Sequence, residues 1–168
     1  MGLAPAAHGG NRTGRVFTGD RSGDFLYAAL HRAGLANQAR SVSRDDGLQL
    51  RGVWVTLSAR CAPPQNAPRP DELLRCSPWL SRELELLGPR VVLALGAIAW
   101  ASVLRVFRTS GIQVPRPAPG FAHGAEVSLP GAPWLVSAYH VSQQNTQTGR
   151  LTPAMFDAVL GRAMALAR

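Results

Sequence analysis

Gly2-Leu3-Ala4-Pro5-Ala6-Ala7-His8-Gly9-Gly10-Asn11-Arg12-Thr13-Gly14-Arg15 opens the chain and runs on into Val16-Phe17-Thr18-Gly19-Asp20. Its four glycines, at positions 2, 9, 10 and 14, work against a plain helix and let the backbone approach a ligand closely. Leu3 and Ala4 are apolar, and Pro5 ends any strand that carries them. Polar side chains then accumulate: His8, Asn11, Arg12, Thr13 and Arg15. A strand end that opens into a long loop ahead of a helix is where α/β sheets bind ligands. No Gly-x-x-x-x-Gly-Lys occurs, so the loop is not read as a nucleotide P-loop. On its residues alone the stretch is a ligand loop without assigned chemistry.

The rest of the chain suits a globular partner of that loop. Its 168 residues are enough for one domain with a real core. Hydrophobic residues make up 46% and charged residues 17%, which separates the chain from disordered sequences. No apolar run reaches the length of a membrane span, and the first residues lack the plan of a signal peptide, so a cytoplasmic protein is expected. The formal charge is +8, and all eighteen basic residues are Arg. Missing Lys reads as codon bias. The positive excess itself draws polyanions, nucleic acid foremost, although Arg is spread so evenly that charge alone supports only non-specific binding. Cys61 and Cys76 are too few for a disulfide framework.

Ser22 reads as the cap of a helix carrying Phe25, Leu26, Ala29, Leu30 and Ala33, and Gly34 ends it. Residues 37–49 read as a loop, and Val53 to Thr56 as a short buried strand. Four prolines keep Cys61 to Pro70 out of regular structure. Asp71 opens a brief helical turn, and Pro78 suits the first turn of a separate helix that runs to Leu87. Val91 to Leu95 lacks alternation, as in a strand covered on both faces. A helix from Gly96 to about Phe107, a long loop over 110–133, a last strand from Trp134 to Tyr139, a polar loop from His140 to Arg150 and a C-terminal helix from Thr152-Pro153 complete the chain. Strands separated by helices predict an α/β fold, a three-layer α/β/α domain with a short central, mostly parallel sheet over residues 1–168. Both polar loops follow strands, so two distant segments should meet at one crevice.

The opening stretch and His140-Val141-Ser142-Gln143-Gln144-Asn145-Thr146 together resemble the paired motifs of the uracil-DNA glycosylase superfamily, and the first motif resembles its family 5, or type B, members. The resemblance runs from Gly2 to the C-terminus. It implies a hydrolase of DNA repair that removes uracil, and other deaminated bases, from DNA at the start of base excision repair, acting as a monomer. Two rival readings are a non-catalytic DNA-binding remnant and a hydrolase of free nucleotides.

The resemblance also implies roles. His140 is expected to donate to the departing base, with a structural histidine at a strand end as the other reading. Asp20 is the first candidate for positioning the attacking water and Asn11 the second, while Asp20 equally suits a helix cap. Gly2, Leu3, Ala4, Pro5, His8, Phe17 and Leu57 are the expected base pocket. Phe17 would stack on the base, or sit in the core. Val141 and Gln143 are expected to wedge into the duplex, with Ser142, Gln144, Asn145, Thr146 and Arg150 on DNA. Arg150 is read evenly as a phosphate contact or a surface charge. Leu57 stands where the family pattern often has an Asn, which implies loose base selection. Family members hold a [4Fe-4S] cluster on four cysteines. Cys61 and Cys76 match the later pair, and the earlier pair is absent from this sequence, so an incomplete cluster site and a truncated first strand are expected.

Overall fold

The computed structural model describes residues 1–168. After a single helical turn α1 (Gly10–Thr13) come α2 (Arg21–Arg32), α3 (Pro70–Leu87), β1 (Val91–Leu95), α4 (Ala97–Thr109), β2 (Glu126–Val127), β3 (Trp134–Ala138), α5 (Gln143–Gln147) and α6 (Pro153–Leu166).

The sheet is small because few residues extend it. β3 lies at its centre, parallel to β1 with Val91 opposite Trp134 and Leu95 opposite Ala138. The two-residue β2 pairs antiparallel with the other edge of β3. Side chains alternate across it as a pleat requires. Val92, Ala94 and Leu135 pack against Trp100, Val103 and Phe107 of α4 on one face. Leu95, Val136 and Ala138 pack against Leu26, Leu30, Phe156 and Leu160 of α2 and α6 on the other. The three layers expected from the sequence are present. Arg32 bridges α2 to α6 by donating twice to Asp157, at 2.9 and 2.8 Å.

Met1 and Gly2 extend the sheet beyond β1. The Met1 amine donates to the Leu93 carbonyl at 2.8 Å, and Leu95 N–H donates to the Met1 carbonyl at 2.8 Å. On the far side Gly2 N–H donates to Thr56 and receives Ser58 N–H on its carbonyl, at 2.8 and 3.0 Å. The expected strand Val53 to Thr56 is therefore reduced to one parallel bridge, Gly2 with Leu57, because its neighbour supplies only two residues. Beside Met1, between β1 and Val53–Thr56, lies an apolar cavity of about 460 Å³ floored by Leu160 and Met164.

Other expectations need correction. Asp20, not Ser22, caps α2, accepting the Gly23 N–H at 2.8 Å. The helical turn at Asp71 and the helix after Pro78 are one continuous α3, with Pro78 inside it. The carbonyl of Leu74, which Pro78 has no N–H to reach, accepts the Ser77 hydroxyl at 2.7 Å instead. Residues 143–147 of the polar loop form a short helix. Glu83 ties α3 itself to the sheet edge, accepting Thr56 Oγ1 at 2.5 Å and Arg60 at 2.6 Å.

Candidate active site

Three chain segments end at the same edge of the sheet: Met1–Gly2 leads into the first loop, β1 into Gly96, and β3 into Tyr139 and His140. Gly96 N–H donates to the Ala138 carbonyl at 2.9 Å, and its φ of +94° is one that side chains rarely adopt. A methyl group there would stand 3.2 Å from His140 Cβ, so this glycine lets the histidine fold back over the strand end.

His140 is half-buried, and Phe17 is its aromatic neighbour, with ring centroids 6.3 Å apart. Burial pushes the His140 pKa below its ordinary value, while the Asp20 carboxylate pulls it back up in part. The imidazole is accordingly neutral near pH 7. Asn145 Nδ2 donates to the His140 carbonyl at 2.8 Å, and Asn145 N–H meets Ser142 Oγ at 3.4 Å as the cap of α5. Two residues expected on DNA thus spend polar groups on holding the histidine and its helix.

Phe17 is buried, and its backbone is inverted, with φ of +54°. A conformation of that kind in a bulky residue persists only when its surroundings fix it. Tyr27 OH donates to the Val16 carbonyl at 2.7 Å, Thr13 Oγ1 to the Thr18 carbonyl at 3.2 Å, and the Thr18 and Ser41 hydroxyls meet at 2.6 Å. Arg15 anchors the same turn from outside, donating to Asp46 at 2.6 Å and Ser41 at 3.0 Å. Gly2 lies beneath the ring: a methyl group there would reach within 2.8 Å of Phe17 Cε2 and 3.0 Å of Leu57 Cδ2. Gly2, Phe17, Leu57 and His140 therefore form one cluster. The ring belongs to the core, as one of its two readings expected, and it also flanks the histidine.

Asp20 likewise does two things. One oxygen caps α2, and the other lies over the Cα of Gly9, where a methyl group would overlap it. Leu3, whose carbonyl receives Ala59 N–H at 2.8 Å, and Ala4 are half-buried, and Pro5 is buried against Gly10. His8 and Asn11 are exposed on the outer side of the first loop and are not brought to His140 by any contact.

In the second loop, Val141 is fully buried in the core with Leu151 and Phe156, so it is no wedge. Gln143 and Gln144 are exposed. Thr146 turns its hydroxyl back onto Ser142 at 3.2 Å. The Arg150 guanidinium lies 4.8 Å over the Tyr139 ring, a cation–π contact that neither earlier reading named. An Arg eleven residues beyond an aromatic gives no periodic signal, so the sequence could not have shown it.

Cys61 is exposed and Cys76 half-buried, both free thiols, and no group of three or more His, Cys, Asp and Glu stands together. An iron–sulfur cluster of the expected kind takes four thiolates. Two thiols do not fit it. No helix is long and apolar enough to cross a membrane.

A profile described as the uracil DNA glycosylase superfamily matches residues 1–163. The chain is 53% identical to the type-5 uracil-DNA glycosylase of Mycobacterium tuberculosis over 169 residues, which covers 99% of this chain and 62% of the relative. The type-5 enzyme of Thermus thermophilus is 53% identical, covering 99% of this chain and 74% of that protein. The type-5 enzyme of Pyrobaculum aerophilum is 47% identical, with coverage of 98% and 70%. This chain thus spans 62% of the length of the mycobacterial relative.

Proposed function

Because the chain belongs to the uracil DNA glycosylase superfamily, we propose that it hydrolyses the N-glycosidic bond of uracil in DNA, tolerates other deaminated bases, and so initiates base excision repair. The observation that carries this reading is a neutral His140 at the end of β3, beside the Phe17 ring and within the field of Asp20. Excision requires the nucleotide to leave the stack and enter a pocket. There the Phe17 ring supplies an apolar face on which any base can lie.

As the C1′–N1 bond lengthens, the bonding electrons pass to the base, chiefly to O2, and the sugar becomes positive. A neutral imidazole donates a hydrogen bond to that growing charge without first losing a proton to it. The Asp20 oxygen not engaged by Gly23 orients a water toward C1′ and takes its proton as the C1′–O bond forms. Its negative charge also favours the cationic sugar. The Asn145 clasp and Gly96 hold the imidazole in place without touching substrate. Gln143 and Gln144, exposed on α5, are the side chains of the second loop left free for DNA, with Arg150 at its far end. Leu57, apolar beneath Gly2 and Phe17, offers shape and no hydrogen bond, which suits a tolerant pocket.

The test is single-turnover excision from a uracil-containing duplex by wild-type protein and His140→Ala. The variant should bind the duplex normally and cleave on the order of a hundred- to a thousand-fold more slowly. A near wild-type rate removes His140 from the chemistry. A wild-type chain that binds DNA and excises nothing is instead a binding remnant.

A further inference from the structure

We propose that Gly23, which touches neither base nor sugar, is the positioning residue that sets the Phe17 ring for base binding; this rests on the reading of Phe17 as the stacking group. Gly23 lies in the first turn of α2 and is buried. Its N–H holds one oxygen of Asp20 at 2.8 Å. Its Cα faces the peptide that follows Phe17. A methyl group on that Cα would stand 2.6 Å from the Phe17 carbonyl carbon, closer still to its oxygen, and 3.4 Å from Thr18 N. Backbone, unlike a flexible side chain, has little freedom to yield.

The peptide pressed against Gly23 is the one that follows the inverted φ of Phe17. Left-handed backbone in a Phe is disfavoured, so the turn stands only because its surroundings leave it no better place. On one side it is tied down through Val16, Thr18 and Ser41. On the other it is seated on bare Cα. A side chain at position 23 would push the carbonyl outward, turn the peptide, and swing the ring away from His140. In an unconstrained helix, Gly→Ala is stabilising. Here the same change acts on residue 17. The N–H that Asp20 accepts survives it, so the cap and the water-positioning oxygen are kept while the ring is moved.

The experiment is a double-mutant cycle on Gly23→Ala and Phe17→Ala. It reads affinity for a duplex containing the non-cleavable nucleotide 2′-fluoro-2′-deoxyuridine, relative to the same duplex with thymidine. It also reads the His140 imidazole proton resonance, which the ring current of a neighbouring Phe17 shifts. Each single variant should lose roughly ten- to a hundredfold of the preference for the uracil duplex, since that is the usual worth of one stacked base. The double variant should lose no more than either, and Gly23→Ala should displace the His140 resonance in the same direction as Phe17→Ala. Losses that multiply in the double variant, or a folded Gly23→Ala with unchanged preference and resonance, overturn the proposal. Should Gly23→Ala fail to fold, Phe17→Gly/Gly23→Ala should restore folding, because glycine at 17 frees the peptide to turn; no restoration also overturns it. If wild-type protein itself shows no preference for the uracil duplex, the glycosylase reading falls, and the resonance decides the role of Gly23 alone.

Discussion

Acylating the Met1 nitrogen should stabilise this chain, and by an amount that depends on pH. The amine sits inside the sheet, donating to Leu93, with an apolar cavity beside it. Burial pushes its pKa from 8.0 down to about 5, only partly opposed by Glu83. Between those values the unfolded chain holds a proton that the folded chain does not. Unfolding therefore takes up a proton, and stability rises with pH across that window. Three pH units at about 1.4 kcal/mol each give a penalty of about 4 kcal/mol, complete below about pH 5 and gone above about pH 8. At pH 7 about 1.4 kcal/mol of it remains, equivalent to about 4 °C in Tm for a chain of this size. An acetyl group, or any preceding residue, turns the amine into an amide that still donates to Leu93 and carries no charge. Urea unfolding of free and acetylated protein at about pH 5.5, 7 and 9 should give curves that differ by about 3 kcal/mol at the first and converge at the last. Parallel pH profiles for the two forms would show that the amine is hydrated and the burial argument wrong.

Activity should have an acid limb set by His140, falling as pH drops through a pKa below the ordinary 6.5, because protonation removes the neutral donor; a limb at or above 6.5 in kcat/KM contradicts the burial of the imidazole. Arg150→Ala should lower the slope of log affinity against log salt by about one unit if the guanidinium leaves Tyr139 for a phosphate on binding, and an unchanged slope assigns it to Tyr139 alone. Leu57→Asn puts an amide where the side chain is 4% exposed, and should cost about 3 kcal/mol in urea unfolding. The same variant should raise the ratio of uracil to hypoxanthine excision, and an unchanged ratio places Leu57 behind the pocket wall rather than in it.

The two loops were legible in the sequence because strand ends concentrate chemistry: His140 comes beside Phe17, with Gly2 beneath the ring and Asp20 within reach of its field, where the topology requires. The layers were legible because Val91 to Leu95 lacks alternation and so announces two covered faces. What stayed hidden depends on side chains compensating for backbone. Pro78 reads as a helix start until Ser77 is seen to satisfy the Leu74 carbonyl. Val141 reads as an exposed wedge in a polar run, yet it is the one apolar residue between His140 and Leu151 and is drawn into the core. Asn145 reads as a DNA contact, while its partner is a main-chain carbonyl, which carries no sequence signature. The two-residue β2 lies in a stretch rich in Gly and Pro, too short for any period to appear.

The Asn145 clasp has a mechanical consequence. The five-residue helix that presents Gln143 and Gln144 to solvent is bolted, through one amide, to the carbonyl of His140. On the proposed function, a load that DNA places on the helix would reach the histidine through that bolt. Grip and trigger would then be a single moving part, and the loop would work less as an anchor than as a lever whose short arm ends at His140.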